Sequence, residues 1–237
     1  MLESQLTTVI VPVYNEAATL GRMLASLISQ PFEKQIIVVD DGSTDGTTAE
    51  LEPFRNEGTC PANGGIELIH LETNRGKGFA IRQAIPRVRG LVTVIQDADL
   101  EYDPVEIPRL TRLIFEDRAD AVYGSRFSGS PQRALFFWHR FANAMITLLS
   151  NLLTNLNLSD METGAKAIRT SLLQKMNLKS NRFGFEPEVT ARLSKMQARI
   201  FEIDYPYFGR TYQEGKKIGV GDALAAFWHT IRFNLFD

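Results

Sequence analysis

A chain of 237 residues, 44% hydrophobic and 23% charged, is long enough for one α/β domain with a large core and too apolar to be disordered. Its net charge of −2, from 26 basic and 28 acidic residues, gives no general reason to expect nucleic-acid binding. The single cysteine, Cys60, excludes an intrachain disulfide and a cysteine-built zinc cluster and suits a reducing compartment, while the apolar stretches are too short to span a bilayer.

Met1 to Gln5 is polar and carries no signal-peptide apolar region. Thr8 to Val11 reads as a first strand, its ladder ended by Pro12. Asn15 is placed to cap a helix from about Ala17 to Ser29, with Leu20, Leu24, Leu27 and Ile28 on one face and Pro31 stopping it. Gln35 to Asp40 is a second, buried strand that delivers Asp40-Asp41-Gly42-Ser43-Thr44-Asp45-Gly46-Thr47 at its carboxyl end. Asp41, Ser43, Asp45, Gly46 and Glu52 match ligand positions of an EF-hand loop, but that loop follows a helix and this one follows a strand. A βα turn, with a helix from near Thr47, is the better reading.

Residues 52–65 form a turn-rich surface loop, and Ile66 to Leu71 a third strand. Asn74-Arg75-Gly76-Lys77-Gly78 opens a helix carrying Ala80, Ile81, Ala84 and Ile85; such a loop suits phosphate, or is a simple turn. Leu91 to Ile95 is a fourth strand, delivering Gln96-Asp97-Ala98-Asp99-Leu100-Glu101. Two aspartates at the carboxyl end of a buried strand suit a hard divalent cation carrying a phosphorylated ligand; the alternative is a solvated acidic turn. A helix follows from Pro104 to about Asp117, then a fifth strand, Asp120 to Gly124, ending in Ser125-Arg126. This β/α alternation predicts a mostly parallel sheet with helices on both faces and these turns on one rim.

The pattern changes after Ser128-Gly129-Ser130-Pro131. Residues from about Arg133 to Leu158 read as one or two helices, opening with Phe136-Phe137-Trp138 between Arg133 and Arg140. Asn143, Thr147, Ser150, Asn151, Thr154 and Asn155 make a polar stripe that argues against a membrane span. Such a helix either lies in a membrane interface or packs on its own domain or a dimer partner. Asp160 to Arg169 is an acidic turn leading into a short strand, and Glu186 and Glu188 precede a helix from Val189 to Met196, where they would favour its dipole. Ile200 to Tyr205 is a strand, Phe208 to Lys217 a basic loop, and Asp222 a cap for a last interfacial helix with Leu224, Phe227, Trp228, Ile231 and Leu235.

Val11-Pro12-Val13-Tyr14-Asn15-Glu16, Asp40 to Asp45, Asn74 to Gly78, Asp97-Ala98-Asp99 and Gly124-Ser125-Arg126, in that order, resemble family 2 glycosyltransferases of the GT-A fold. Within that family the likeness is to the dolichyl-phosphate mannose synthase group of polyprenyl-phosphate glycosyltransferases, and Asp160 to Arg169 and Arg210 to Lys216 extend it over essentially the whole chain. The resemblance implies a single α/β, Rossmann-like GT-A domain with C-terminal amphipathic interfacial helices: residues 1–130 for the nucleotide sugar, 131–237 for acceptor and membrane. Pro12, Tyr14 and Glu16 would line the nucleotide pocket, with Val39 and Asp41 reaching base and ribose. Asp97, Ala98 and Asp99 would hold the donor, Asp99 ligating Mg2+ or Mn2+, and Arg126, Arg210 and Lys216 would bind phosphate groups. Glu101 departs from the group, which usually has Gln there; it would be a further metal ligand or mark a different donor.

The implied reaction is inverting transfer of a hexose, mannose or glucose, from GDP-mannose or UDP-glucose to a polyprenyl phosphate. The implied location is the cytoplasmic face of a membrane, as a peripheral protein or with a membrane-embedded partner. An anionic lipid phosphate attacks without a general base. A hydroxyl acceptor would need one, from Glu186, Glu188 or Asp160. A non-catalytic nucleotide-binding subunit is the third reading, disfavoured by intact Asp97 and Asp99.

Overall fold

Apolar, β-branched runs make the strands, and their alternation decides which layer each side chain joins. The computed structural model describes residues 5–54, 66–129, 133–134, 136–211, 213–214 and 219–237. The first strand, β1 (Thr7–Val13), passes through α1 (Leu20–Ser29) to β2 (Lys34–Asp40), and both strands are buried along their length. A short α2 (Thr47–Leu51) precedes β3 (Ile66–His70); α3 (Lys77–Ala84) leads to β4 (Val92–Ile95), and α4 (Ile107–Phe115) to β5 (Ala121–Ser125). The second half adds α5 (Phe137–Thr154), β6 (Lys166–Arg169), α6 (Thr170–Lys175), α7 (Phe185–Lys195), β7 (Ile200–Asp204) and α8 (Val220–Leu235).

One seven-stranded sheet results, ordered β3-β2-β1-β4-β6-β5-β7. It is parallel except for β6, which runs antiparallel to both β4 and β5. In β2, Ile36 and Val38 pack toward α1 and α4, while Ile37 and Val39 pack toward α3 and α7, so each face of the sheet is covered by helices.

This topology collects the site. The carboxyl ends of β1, β2, β4 and β5 share one edge, and because β6 is reversed its amino end, entered from residues 160–165, lies there too. Ile95 sits opposite Lys166 in the register, which brings Gly164 against the Asp97 carboxylate: a Cβ on Gly164 would lie 2.5 Å from Asp97 Oδ2. The segment after β7 returns Arg210 to the same edge.

Several local expectations change. Pro12 lies inside β1, opposite Val39, beyond the point where β1 pairs with β4, so its missing N–H interrupts nothing there. Asn15 does not cap α1, which starts at Leu20; in the left-handed region at φ 54°, it accepts from the Thr44 N–H (2.8 Å) and donates its own N–H to Ser43 Oγ (3.0 Å). It thereby ties the first two rim loops together. Asp222 lies in the first turn of α8 and accepts from the Gly219 N–H at 2.8 Å. The helix α6 was not expected.

The polar stripe of α5 faces inward. Asn143, Thr147 and Ser150 are buried, while Phe137 (68% exposed), Trp138 (73%) and Leu152 (72%) point outward with Phe141, Met145 and Leu148. The polar groups hold the segment before β6: Thr147 Oγ1 accepts from the Met161 N–H, Asn151 exchanges two bonds with Leu158, and Asn143 Nδ2 donates to Asp160. Packed against α5, α8 likewise buries Ala226, Thr230 and Phe233 and exposes Leu224, Phe227, Trp228 and Leu235. Among the described residues no helix is long and apolar enough to cross a membrane.

Candidate active site

Carboxylates crowd the rim, and two side-chain cations hold them. Lys77, the first residue of α3, places Nζ 2.8 Å from Asp97 Oδ1 and 3.1 Å from Glu186 Oε1. Arg210 sits among three acids: Nη1 is 3.1 Å from Glu16, Nη2 is 3.1 Å from Asp99, and Nε is 3.5 Å from Glu101. Burial, then the charges of Asp97 and Glu101, push the Asp99 carboxyl up to about 7, against the pull of Arg210. Burial alone would lower the Lys77 ammonium, but Asp97 and Glu186 outweigh it and hold it above the ordinary lysine value.

A second buried set lies behind Asp97. Lys166 donates to the carbonyls of Met161 (2.9 Å) and Thr163, and burial pulls it down to about 8 against the neighbouring acids. Burial and the charge of Glu186 push Glu162 up to about 8, and Glu162 Oε1 has no hydrogen-bond partner.

The expected site residues divide. Asp97, Asp99, Glu16 and Arg210 come together as one cluster, with half-exposed Tyr14 on the same rim. Glu101, expected as a metal ligand, is committed otherwise: it accepts from Tyr207 Oη (2.7 Å) and from the Arg210 N–H (2.8 Å), and so anchors the strand-to-loop segment that carries Arg210. The Val39 side chain is fully buried beneath α3, and Ala98 is buried in the core. Asp41 is buried, and its two oxygens accept from the Arg75 N–H (2.9 Å) and the Gly76 N–H (2.6 Å); it shapes the 74–78 loop rather than reaching outward.

Arg126 is paired with Asp160. Its Nε and Nη2 each lie 2.7 Å from a different Asp160 oxygen, and Nη2 also donates to Asn143 Oδ1 at 3.0 Å. Burial alone would raise Asp160, but the Arg126 charge and hydrogen bonds hold its carboxyl below the usual range. Lys216 lies outside the described residues. Lys77 and Glu186 were missed as partners of Asp97; the Asn74–Gly78 motif held the only signal, a lysine at a helix start.

The donor set fits a divalent cation. Among the described residues no three acidic, histidine or cysteine side chains converge to enclose a metal unaided. One or two rim carboxylates completed by diphosphate oxygens and water is, however, the usual arrangement for Mg2+-type sites. Asp99, raised to about 7 by burial and then by the charges of Asp97 and Glu101, is a place where an added cation would relieve repulsion.

The family model for glycosyl transferase family 2 matches residues 8–176, which include β2, β4, β5 and β6 and both aspartates. The chain belongs to glycosyl transferase family 2. An undecaprenyl-phosphate mannosyltransferase from Micrococcus luteus is 30% identical over 95% of this chain and 97% of its own length. A dodecaprenyl-phosphate galacturonate synthase from Rhizobium johnstonii is 25% identical over 88% of this chain and 61% of its own length. Glucosyl-3-phosphoglycerate synthase from Mycobacterium tuberculosis, crystallised with Mn2+, UDP and phosphoglyceric acid, superposes with a TM-score of 0.73 at 17% identity, over 98% of this chain and 80% of that one. The GT-A architecture expected of a family 2 glycosyltransferase is therefore the fold of this chain.

Proposed function

We propose that this glycosyltransferase moves a hexose from a nucleoside-diphosphate sugar, GDP-mannose or UDP-glucose, to a polyprenyl phosphate at the cytoplasmic face of a membrane. The observation that carries the reading is the bond chain from α5 to the rim: its outer face is apolar and exposed, and its inner face, through Asn143, holds Asp160 and Arg126. A lipid anchored beside α5 would thus present its phosphate to a fixed guanidinium. The relatives named for polyprenyl-phosphate transfer support the acceptor class; their sugars differ, so the choice of mannose rests on one relative at 30% identity.

In this reading residues 1–130 carry most of the donor site and 131–237 the acceptor surface, with Arg210 and Glu186 completing the donor rim from the second half. Asp99, together with Asp97, would hold Mg2+ or Mn2+, which when bound neutralises charge developing on the departing diphosphate. Lys77 and Arg210 are placed to turn from carboxylate to diphosphate oxygens, stabilising the same charge. Glu101 keeps Arg210 at that position. Lys216 would add a further cation, and a membrane-embedded partner would extend the lipid-binding surface. The acceptor phosphate is already anionic and attacks the anomeric carbon without a base.

The competing reading, a hydroxyl acceptor, needs a base, and its three candidates are each engaged by neighbouring groups here. Asp160 is buried and ion-paired, Glu188 accepts the N–H groups of Lys179 and Ser180, and Glu186 is bound to Lys77. Incubating purified protein with Mg2+ or Mn2+, a polyprenyl phosphate and each labelled donor is expected to give an organic-extractable product with one hexose donor. A product that stays in water favours the hydroxyl reading, and no product with any donor overturns the proposal.

Membrane contact has its own test. Burying an exposed large apolar side chain contributes about 1 kcal/mol or more even when immersion is partial. Phe137, Trp138 and Leu152 replaced together by serine are therefore expected to weaken vesicle binding roughly 100-fold in sedimentation, with the fold intact because all three are exposed.

A further inference from the structure

A second basic feature adjoins the carboxylate rim, where Ser180 and Arg182 pack on Gly78 and Gly76, the neighbours of Lys77. A cavity of about 490 Å3 is lined by Arg75, Lys179, Ser180, Arg182, His229 and Arg232. No acidic residue lines it, and neither do Asp97, Asp99, Glu16 or Arg210. Lys179 is shared with Asp237, and Arg75 stacks on Phe79 with its guanidinium carbon 3.8 Å from the ring centre.

Two polar groups at this cavity lack partners. Ser180 is 6% exposed, and its Oγ makes no hydrogen bond; the same holds for His229 Nδ1. Orphaned buried polar atoms are costly and uncommon. Ser180 Oγ and the His229 ring both lie against position 184, which has no side chain: a Cβ on Gly184 would lie 2.4 Å from Ser180 Oγ and 2.7 Å from the His229 ring. The loop is also held in place, since Glu188 accepts both the Lys179 N–H (2.8 Å) and the Ser180 N–H (2.7 Å). Burial and the adjacent Arg232 lower the His229 pKa and so favour its neutral imidazole.

We propose that this cavity is a second, non-catalytic site that binds a phosphate group, carried by an anionic lipid or by a free phosphomonoester. Guanidinium forks and an ammonium supply charge-assisted bonds to phosphate oxygens, and the Ser180 hydroxyl and an imidazole N–H complete the shell. His229 and Arg232 sit on the helix that also exposes Trp228 and Leu235, so a headgroup can be reached from a bilayer surface. The proposal stands independently of the transfer reaction.

Inorganic phosphate titrated by calorimetry, and vesicles of phosphatidylcholine with or without phosphatidic acid tested by sedimentation, separate the two sources. Binding to inorganic phosphate without vesicles supports a free-phosphate site. Enhanced sedimentation with phosphatidic acid alone supports a headgroup site. In either arm the Arg182→Ala/Arg232→Ala variant is expected to bind at least tenfold more weakly and Ser180→Ala several-fold more weakly. Arg182→Lys/Arg232→Lys is expected to recover most of the binding. Saturating UDP with Mn2+ is expected to leave it unchanged. Undiminished binding by both alanine variants, displacement by UDP with Mn2+, or no binding in either arm overturns the proposal.

Discussion

Asp99→Asn is expected to lower sugar transfer by at least 10²- to 10³-fold while leaving the protein folded. Removing one group that stabilises charge developing in a transition state typically costs a factor of this size. Asp99 stands where burial, Asp97 and Glu101 already oppose its charge, so its ionised form costs stability rather than adding it. The sign follows from linkage. A carboxyl raised from 3.8 to about 7 binds its proton more tightly in the folded state, so it favours folding at low pH and loses that contribution as pH rises toward 7. The amide removes that dependence. At pH 8 the variant should therefore melt at or above the temperature of the parent chain while transferring little or no sugar. Transfer retained within about threefold would remove Asp99 from its proposed role. Transfer lost together with the fold would point to a structural role instead.

Asp160→Ala is expected to be the most destabilising single change at the rim. Asp160 is fully buried and accepts from Arg126 Nε, Nη2 and N–H and from Asn143 Nδ2. Deleting it leaves a buried guanidinium uncompensated, which costs about 3–5 kcal/mol. For a chain of this size that is a fall in Tm of roughly 6–20 °C by circular dichroism. Arg126→Met/Asp160→Leu is expected to regain much of it, since no charge is then stranded. The effect is also pH-dependent. Because the Asp160 carboxyl lies below its ordinary value of 3.8 when folded, its contribution is complete above that value and vanishes as pH falls through the folded pKa. The gap in Tm between parent and variant should therefore be widest above pH 4 and close in stronger acid. A gap below about 2 °C at neutral pH would show that the pair is solvated or replaceable.

The rim was readable because strand ends are readable. Apolar β-branched runs place the turns that follow them, and a parallel sheet puts those turns on one edge, so Asp97, Asp99 and Arg126 were expected on one edge; Arg210 was expected there from the family resemblance, and it pairs with Asp99. Side-chain direction was not readable. Asp41 and Asp99 are both acids after a strand, yet Asp41 turns inward to two backbone N–H groups and Asp99 outward to Arg210. Periodicity exposed the polar stripe on α5 but not its direction, because a stripe that satisfies a neighbouring segment looks like one that satisfies water. Pairs such as Arg126 with Asp160, 34 residues apart, depend on β6 being reversed, and no local pattern announces that reversal.

The two clamps at the rim also bear on the order of events in the proposed transfer. Among the described residues, Lys77 and Arg210 pair with five carboxylates, Glu16, Asp97, Asp99, Glu101 and Glu186. A rim this rich in carboxylates would repel a bare nucleoside diphosphate more than one already neutralised by a divalent ion. Under the proposed function, donor capture would be ion exchange: Asp97 and Asp99 would hold the cation, leaving Lys77 and Arg210 to turn from their acids to the phosphates. Such a rim would favour the metal-complexed donor over the bare nucleotide before any contact with the sugar.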